Sequence, residues 1–179
     1  FAMSLQGEGR LLYIATMYPY KWNTTEIDPE TMQRIERHRA MRADKGFDTV
    51  ECYRHVEHIV AKRQDVLLLE CMSNLLANEM YLEPDSNAGS DMAETMSPVS
   101  NKIVQALIDL STRVQELVIV TNDVFSDGGS LTYDESTREY VKNLAEINCA
   151  LARVAETVTE VVCGIPVIAV SYTHLRAHE

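Results

Sequence analysis

Along the chain, short apolar runs of strand length alternate with stretches in which apolar residues recur every three or four positions. The runs are Leu11 to Thr16, Asp48 to Cys52, Val66 to Cys71, Leu117 to Thr121 and Val161 to Cys163. Apolar and polar residues do not alternate cleanly within them, as expected of strands covered on both faces. The first helical stretch starts at Asp28-Pro29, a good N-terminal signal, and Met32, Ile35 and Met41 supply its apolar positions up to about Arg42. Further helices are expected over Val56 to Lys62, Ser73 to Tyr81, Ser100 to Glu116 and Glu135 to Val158. In the last, Leu144, Ile147, Leu151, Val154 and Val158 form the stripe of a helix laid on a sheet. This alternation predicts an α/β fold with a mostly parallel sheet. The stretch Glu83 to Pro98, with Pro84, Ser86, Asn87, Gly89 and Ser90, reads as a surface excursion rather than a domain linker. No internal repeat is present.

Three apolar runs end in polar residues: Ala15-Thr16, Glu70-Cys71 and Thr121-Asn122-Asp123. In open parallel sheets ligands bind beyond the carboxyl ends of the strands, where such residues gather. Simple strand capping and loop opening would use the same residue types.

Composition narrows the function. With 27 acidic against 16 basic side chains the formal net charge is −11, which argues against a nucleic-acid binder. Hydrophobic residues make up 46% and charged residues 24%, a globular composition. Runs such as Val66-Leu67-Leu68-Leu69 are far shorter than the roughly 20 residues of a membrane span. Cys52, Cys71, Cys149 and Cys163 form no C-x-x-C pair and read as reduced thiols of a cytoplasmic protein. None of the seven glycines is followed by Lys-Ser or Lys-Thr, so the usual phosphate-cradling loop is missing. The N-terminal segment lacks the apolar core of a signal peptide, does not begin with Met, and reads as the inside of a longer chain.

Several side chains could carry chemistry. Arg34, His38 and Arg42 are spaced by four along one helix face, with Arg37 and Arg39 flanking the histidine. Neutral imidazole can attack phosphorus while arginines hold phosphates through paired hydrogen bonds. A solvated basic face, with Glu30 paired to Arg34, is the plainer account. Glu70 ends a buried apolar strand, where its charge needs a partner: magnesium beside nucleotide phosphates, or the helix N-terminus after Cys71. His55 and His58 could share a helix face, but no third ligand is evident near them, so zinc is not expected. No G-x-S-x-G elbow occurs.

The segments Leu12-Tyr13-Ile14-Ala15-Thr16-Met17, Arg34-Ile35-Glu36-Arg37-His38-Arg39 with Arg42, Thr49-Val50-Glu51-Cys52-Tyr53, Leu67-Leu68-Leu69-Glu70-Cys71, Val118-Ile119-Val120-Thr121-Asn122-Asp123-Val124 and Val162-Cys163-Gly164-Ile165-Pro166 occur in one order. Together they resemble the bifunctional adenosylcobinamide kinase and adenosylcobinamide-phosphate guanylyltransferase family of cobalamin biosynthesis, from about Leu11 to Ile168. The resemblance implies a P-loop NTPase-like (RecA-like) α/β domain with helices on both faces of its sheet, assembled as a trimer. It implies two reactions: a nucleoside triphosphate, ATP or GTP, phosphorylates adenosylcobinamide, and GTP then passes GMP through a histidine to the phosphorylated corrinoid. His38 matches the guanylylated histidine. Glu70 matches the family's acidic strand end, where it would support Mg2+. Ala15, Thr16 and Met17 match the strand end that contacts nucleotide, and Arg39, Arg42, Glu51 and Arg54 lie in matching segments expected to touch GTP.

The chain departs from the family in four places. Asn122-Asp123 stands where relatives carry Asn-Glu, and the loop Phe125-Ser126-Asp127-Gly128-Gly129 replaces a more regular glycine pattern. A first strand and a G-x-x-x-x-G-K-[ST] loop are missing before Phe1, and the complete gene is expected to encode them just upstream. The last ten residues, Val170 to Glu179, resemble nothing in the family and read as a non-native tail after a single domain over residues 1–169. Two other functions fit the same residues: a nucleotide-binding or assembly module without catalysis, and a P-loop kinase acting on another small molecule.

Overall fold

The structure is a computed structural model that describes residues 2–22, 24–82, 96–124 and 133–171. Four strands, β1 (Leu11–Ala15), β2 (Phe47–Glu51), β3 (Val66–Glu70) and β4 (Glu116–Val120), form one all-parallel sheet in the order β2-β1-β3-β4. Ala15 pairs with Glu51 on one side and Glu70 on the other, and Glu70 pairs with Val120, so the four carboxyl ends stand level.

Alternation within the strands separates two unequal faces. Leu12, Ile14, Leu67 and Leu69 join Leu75, Leu76, Ile103, Leu107, Leu110, Leu144 and Ile147 in the main core. These come from the sheet and from α2 (Met72–Tyr81), α3 (Pro98–Arg113) and α4 (Glu135–Val154). Leu11 and Val66 point the other way, into a smaller cluster with Ala2, Phe47, Leu68 and Val118. Tyr13 belongs to this second face and carries the guanidinium of Arg42, from α1 (Pro29–Arg42), 3.5 Å from its ring centre. Helices therefore occupy both faces, but α1 contributes no buried residue to its side.

Local signals account for the helix starts. The side chains of Asp28, Ser97 and Asp134 accept hydrogen bonds from Thr31, Ser100 and Thr137 N–H, capping α1, α3 and α4, and Pro29 and Pro98 occupy first-turn positions. The sheet is braced below β1 and β3, where buried Asp65 takes the Arg10 guanidinium at 2.5 Å and the backbone N–H of Lys62 at 2.8 Å. Gly9 permits this approach, since a Cβ there would lie 1.8 Å from the Gln64 carbonyl oxygen.

Three expectations fail. The helix over Val56 to Lys62 is one 3-10 turn, Val56–His58, after which Ile59 is extended. Val56 and Ile59 are buried there, and the branched residues Val56, Ile59 and Val60 gain little from a longer helix. The last helix stops at Val154, and Val158 belongs instead to β5 (Thr157–Val162), whose Thr and Val residues favour a strand. That strand does not join the parallel sheet. It pairs antiparallel with β6 (Ile165–Ser171) around Cys163 and Gly164, at φ 50° and 81°, the two positive-φ residues of a tight hairpin turn. Val170 and Ser171, at the start of the expected tail, pair with Val158 and Thr157. Residues 172–179, the loop over 125–129 and most of the excursion lie outside the described residues, although the end of the excursion, Ser97-Pro98, starts α3.

Candidate functional site

The chain leaves β1 through α1 to reach β2 on one side, and β3 lies on the other side. Strand order thus reverses at β1, and the crevice beyond the carboxyl ends of β1 and β3 is the position where open parallel sheets place ligands. An open pocket of about 530 Å3 lies there, with Ala15, Thr16 and Met17 from the end of β1, Glu51 from β2 and Glu70 from β3 in its wall.

Thr16 fixes this edge. Its buried hydroxyl accepts the Cys71 N–H at 3.0 Å and lies 3.1 Å from the carbonyl oxygens of Glu70 and Cys71, while its own carbonyl accepts from the Asn78 amide at 2.8 Å. The same amide reaches the Tyr53 carbonyl at 2.9 Å, so one side chain of α2 ties the ends of β1 and β2 together. Helix α2 begins directly after Glu70, and its N-cap Cys71 makes no side-chain capping bond.

Helix α1 lays Ile35, His38, Arg39 and Arg42 against the pocket, the spacing of one helix face. This stripe differs from the expected Arg34, His38, Arg42 face: Arg34 lies 3.9 Å from Glu30 on the surface, and Arg39 turns inward. Arg39 forms an ion pair with Glu51, which also accepts the Tyr53 hydroxyl at 2.9 Å. His38 Nδ1 stands 3.9 Å from Glu70 Oε1, each side chain 36% exposed. The other Glu70 oxygen accepts the Tyr13 hydroxyl at 2.9 Å. Burial, with Glu70 beside it, pushes the Tyr13 phenol well above its usual range, and burial with the Glu51 hydrogen bond does the same for Tyr53. Both phenols therefore remain donors at neutral pH.

The pocket thus brings together His38, Ala15, Thr16, Met17, Arg39, Arg42, Glu51 and Glu70. Arg54 is not among them: it lines a neighbouring groove, and its Nε lies 3.7 Å from Glu79. Tyr13, Tyr53, Ile35 and Asn74 also line the pocket and were not singled out from the sequence. Face alternation back from Ala15 gives Tyr13, and stepping back three from His38 gives Ile35. Asn122 sits at the same sheet edge but turns to Ser73, 3.3 Å away.

The chemistry of the set suits a phosphorylated ligand. Two guanidinium groups flank an accessible imidazole, and a carboxylate follows at the strand end. Glu70 offers hard oxygen donors to a cation such as Mg2+, which commonly takes one or two carboxylates together with phosphates. Elsewhere, the structure supplies what the sequence did not show near His55: Glu57 and Glu79 come within 4.8 Å of it, although His58 is not part of the group. The Lys102 ammonium occupies that space, 3.1 Å from His55 Nδ1 and 3.0 Å from Glu79 Oε2, so a metal there would have to displace it.

Two comparisons bear on this arrangement. No curated protein matches the chain. The family model described as cobinamide kinase / cobinamide phosphate guanyltransferase matches residues 1–169.

Proposed function

Because the chain belongs to the cobinamide kinase / cobinamide phosphate guanyltransferase family, we propose that it phosphorylates adenosylcobinamide and then transfers GMP from GTP to the product through His38. The observation that carries this reading is His38 itself, an accessible imidazole between Arg39 and Arg42 whose Nδ1 faces Glu70 at 3.9 Å.

An Nδ1–H turned toward Glu70 would leave the imidazole its Nε2 lone pair for attack on the α-phosphorus of GTP. The N–P bond forms as the P–O bond to pyrophosphate breaks, and pyrophosphate leaves. A phosphate oxygen of adenosylcobinamide phosphate then attacks the same phosphorus, the P–N bond breaks, and the imidazole is restored with adenosylcobinamide-GDP as product. Arg42 and Arg39 hold phosphate oxygens, Arg39 exchanging its Glu51 partner for the nucleotide. Ala15, Thr16 and Met17 form the edge against which the nucleotide rests. Glu70 would hold Mg2+, which supplies charge neutralisation for the phosphates when bound. ATP or GTP serves the kinase step. The four free cysteines are consistent with a cytoplasmic enzyme, and we assign it to a homotrimer.

The test is covalent labelling. Full-length gene product incubated with GTP labelled in the α-phosphate is expected to acquire acid-labile, base-stable label and to release pyrophosphate, and His38→Ala is expected to abolish both. Label retained in the His38→Ala protein would place the nucleophile elsewhere. Complete absence of label with nucleotide binding intact would favour a non-catalytic binding module, and phosphorylation of another small molecule without label would favour a simple kinase.

A further inference from the structure

We propose that the groove beside the His38 pocket, running from Tyr18 to Val60, seats the corrin ring of the acceptor. This rests on the function proposed above and names where the larger substrate sits.

Three observations converge on it. The groove, about 2030 Å3 against about 530 Å3 for the pocket, shares a wall with it, because Glu51 and Tyr53 line both. A ligand whose phosphate reaches His38 must carry the rest of its mass away from the sheet edge, and the path over Tyr53 leads into this groove. Water-sized spheres fill about 1230 Å3 of the groove, more than the roughly 300–1,000 Å3 of ordinary small-molecule sites.

The lining matches the chemistry of a corrinoid, a broad ring with apolar faces and a rim of amides. Tyr18 stands edge-on to Tyr53 with ring centres 5.4 Å apart, and equally close to Tyr20, which gives an aromatic surface of fixed orientation. Ile59 and Leu82 add apolar surface, and Val60, 86% exposed, extends it. Thr25 adds a hydroxyl for the peripheral amides, while the Thr24 hydroxyl holds the turn by donating to the Lys21 carbonyl at 3.0 Å. The groove's own guanidinium, Arg54, is turned to Glu79, which suits a macrocycle better than a polyphosphate.

The experiment compares wild-type full-length protein with Tyr18→Ala and Val60→Arg, two residues outside the nucleotide pocket. Cobinamide binding is followed by equilibrium dialysis, and His38 guanylylation by the labelling assay. Each substitution is expected to weaken cobinamide binding about tenfold or more while labelling by GTP proceeds at the wild-type rate. Val60→Arg changes an exposed side chain and keeps the test independent of folding. Unchanged cobinamide affinity in both variants, or no cobinamide binding by wild type, overturns the proposal. Loss of His38 labelling in wild type instead overturns the guanylyl-transfer reading, and the dialysis result still decides whether the groove binds a corrinoid.

Discussion

Tyr13 couples the charged groups of the pocket, so its two ends can be separated by substitution. Its ring supports the Arg42 guanidinium at 3.5 Å, and its hydroxyl donates to Glu70, whose other oxygen faces His38. Tyr13→Phe keeps the ring and removes one hydrogen bond to a partly exposed carboxylate, which can turn to water. A loss of about 0.5–1.5 kcal/mol is expected in urea unfolding. Tyr13→Ala also removes a buried ring, and about 3–5 kcal/mol should be lost. Asp65 makes a separate, pH-dependent contribution. The Arg10 guanidinium, together with backbone N–H donors, holds its carboxyl at about 2, below the ordinary 3.8. A folded-state value below the unfolded one stabilises the fold above the unfolded value and ceases to do so as pH falls through the folded value. The contribution, about 1–2 kcal/mol, is therefore present above pH 3.8 and lost on acidification toward 2. Asp65→Asn should lower stability at pH 6 and flatten the acid limb between those values, as followed by denaturant titrations at stepped pH.

The elements divide according to what holds them. The strands of the parallel sheet were legible as apolar runs because β1 and β3 are buried on both faces, and Asp28-Pro29 announced α1 through a cap that needs only local residues. The face of α1 was not legible. This helix buries nothing and docks through Arg42 on Tyr13, Arg39 with Glu51 and His38 near Glu70, contacts made with strands far along the sequence. The candidate site followed the same division: His38 and Glu70 stood out by residue type, whereas Tyr13 and Tyr53 became visible only with the strand register. Periodicity misled at the end of α4, where Val158 continued the three-and-four spacing by coincidence. The stripe has a clear energetic limit. Leu144 is fully buried, so Leu144→Ala should cost about 2–5 kcal/mol. Val154, 60% exposed in the last turn, should tolerate alanine within about 0.5 kcal/mol by thermal or urea unfolding.

At the scale of the whole molecule, the β5–β6 hairpin is the feature the single chain does not complete. The two strands touch chiefly each other, and Val161, Val162, Ile165, Val167 and Ile168 are all solvent-exposed in one copy. Pairing places Val162, Ile165 and Val167 on one face of the ribbon and Val161 and Ile168 on the other, so both faces present exposed apolar residues. A two-stranded ribbon is marginal in water by itself, and an exposed apolar patch of this kind marks an interaction surface. The proposed homotrimer would supply a partner of the required chemistry, a second copy whose own apolar ribbon would cover this one. Replacing Ile165 and Ile168, each 66% exposed, by lysine places charge on that surface without disturbing the parallel sheet, which the hairpin does not join. Light scattering coupled to size exclusion should then report a monomer mass for the doubly substituted protein and an oligomer for wild type. The circular dichroism of the two should agree, because the ribbon's strands contribute to neither the parallel sheet nor the hydrophobic clusters. An unchanged oligomer mass after both substitutions would remove the hairpin from the interface and leave its apolar surface to a different partner.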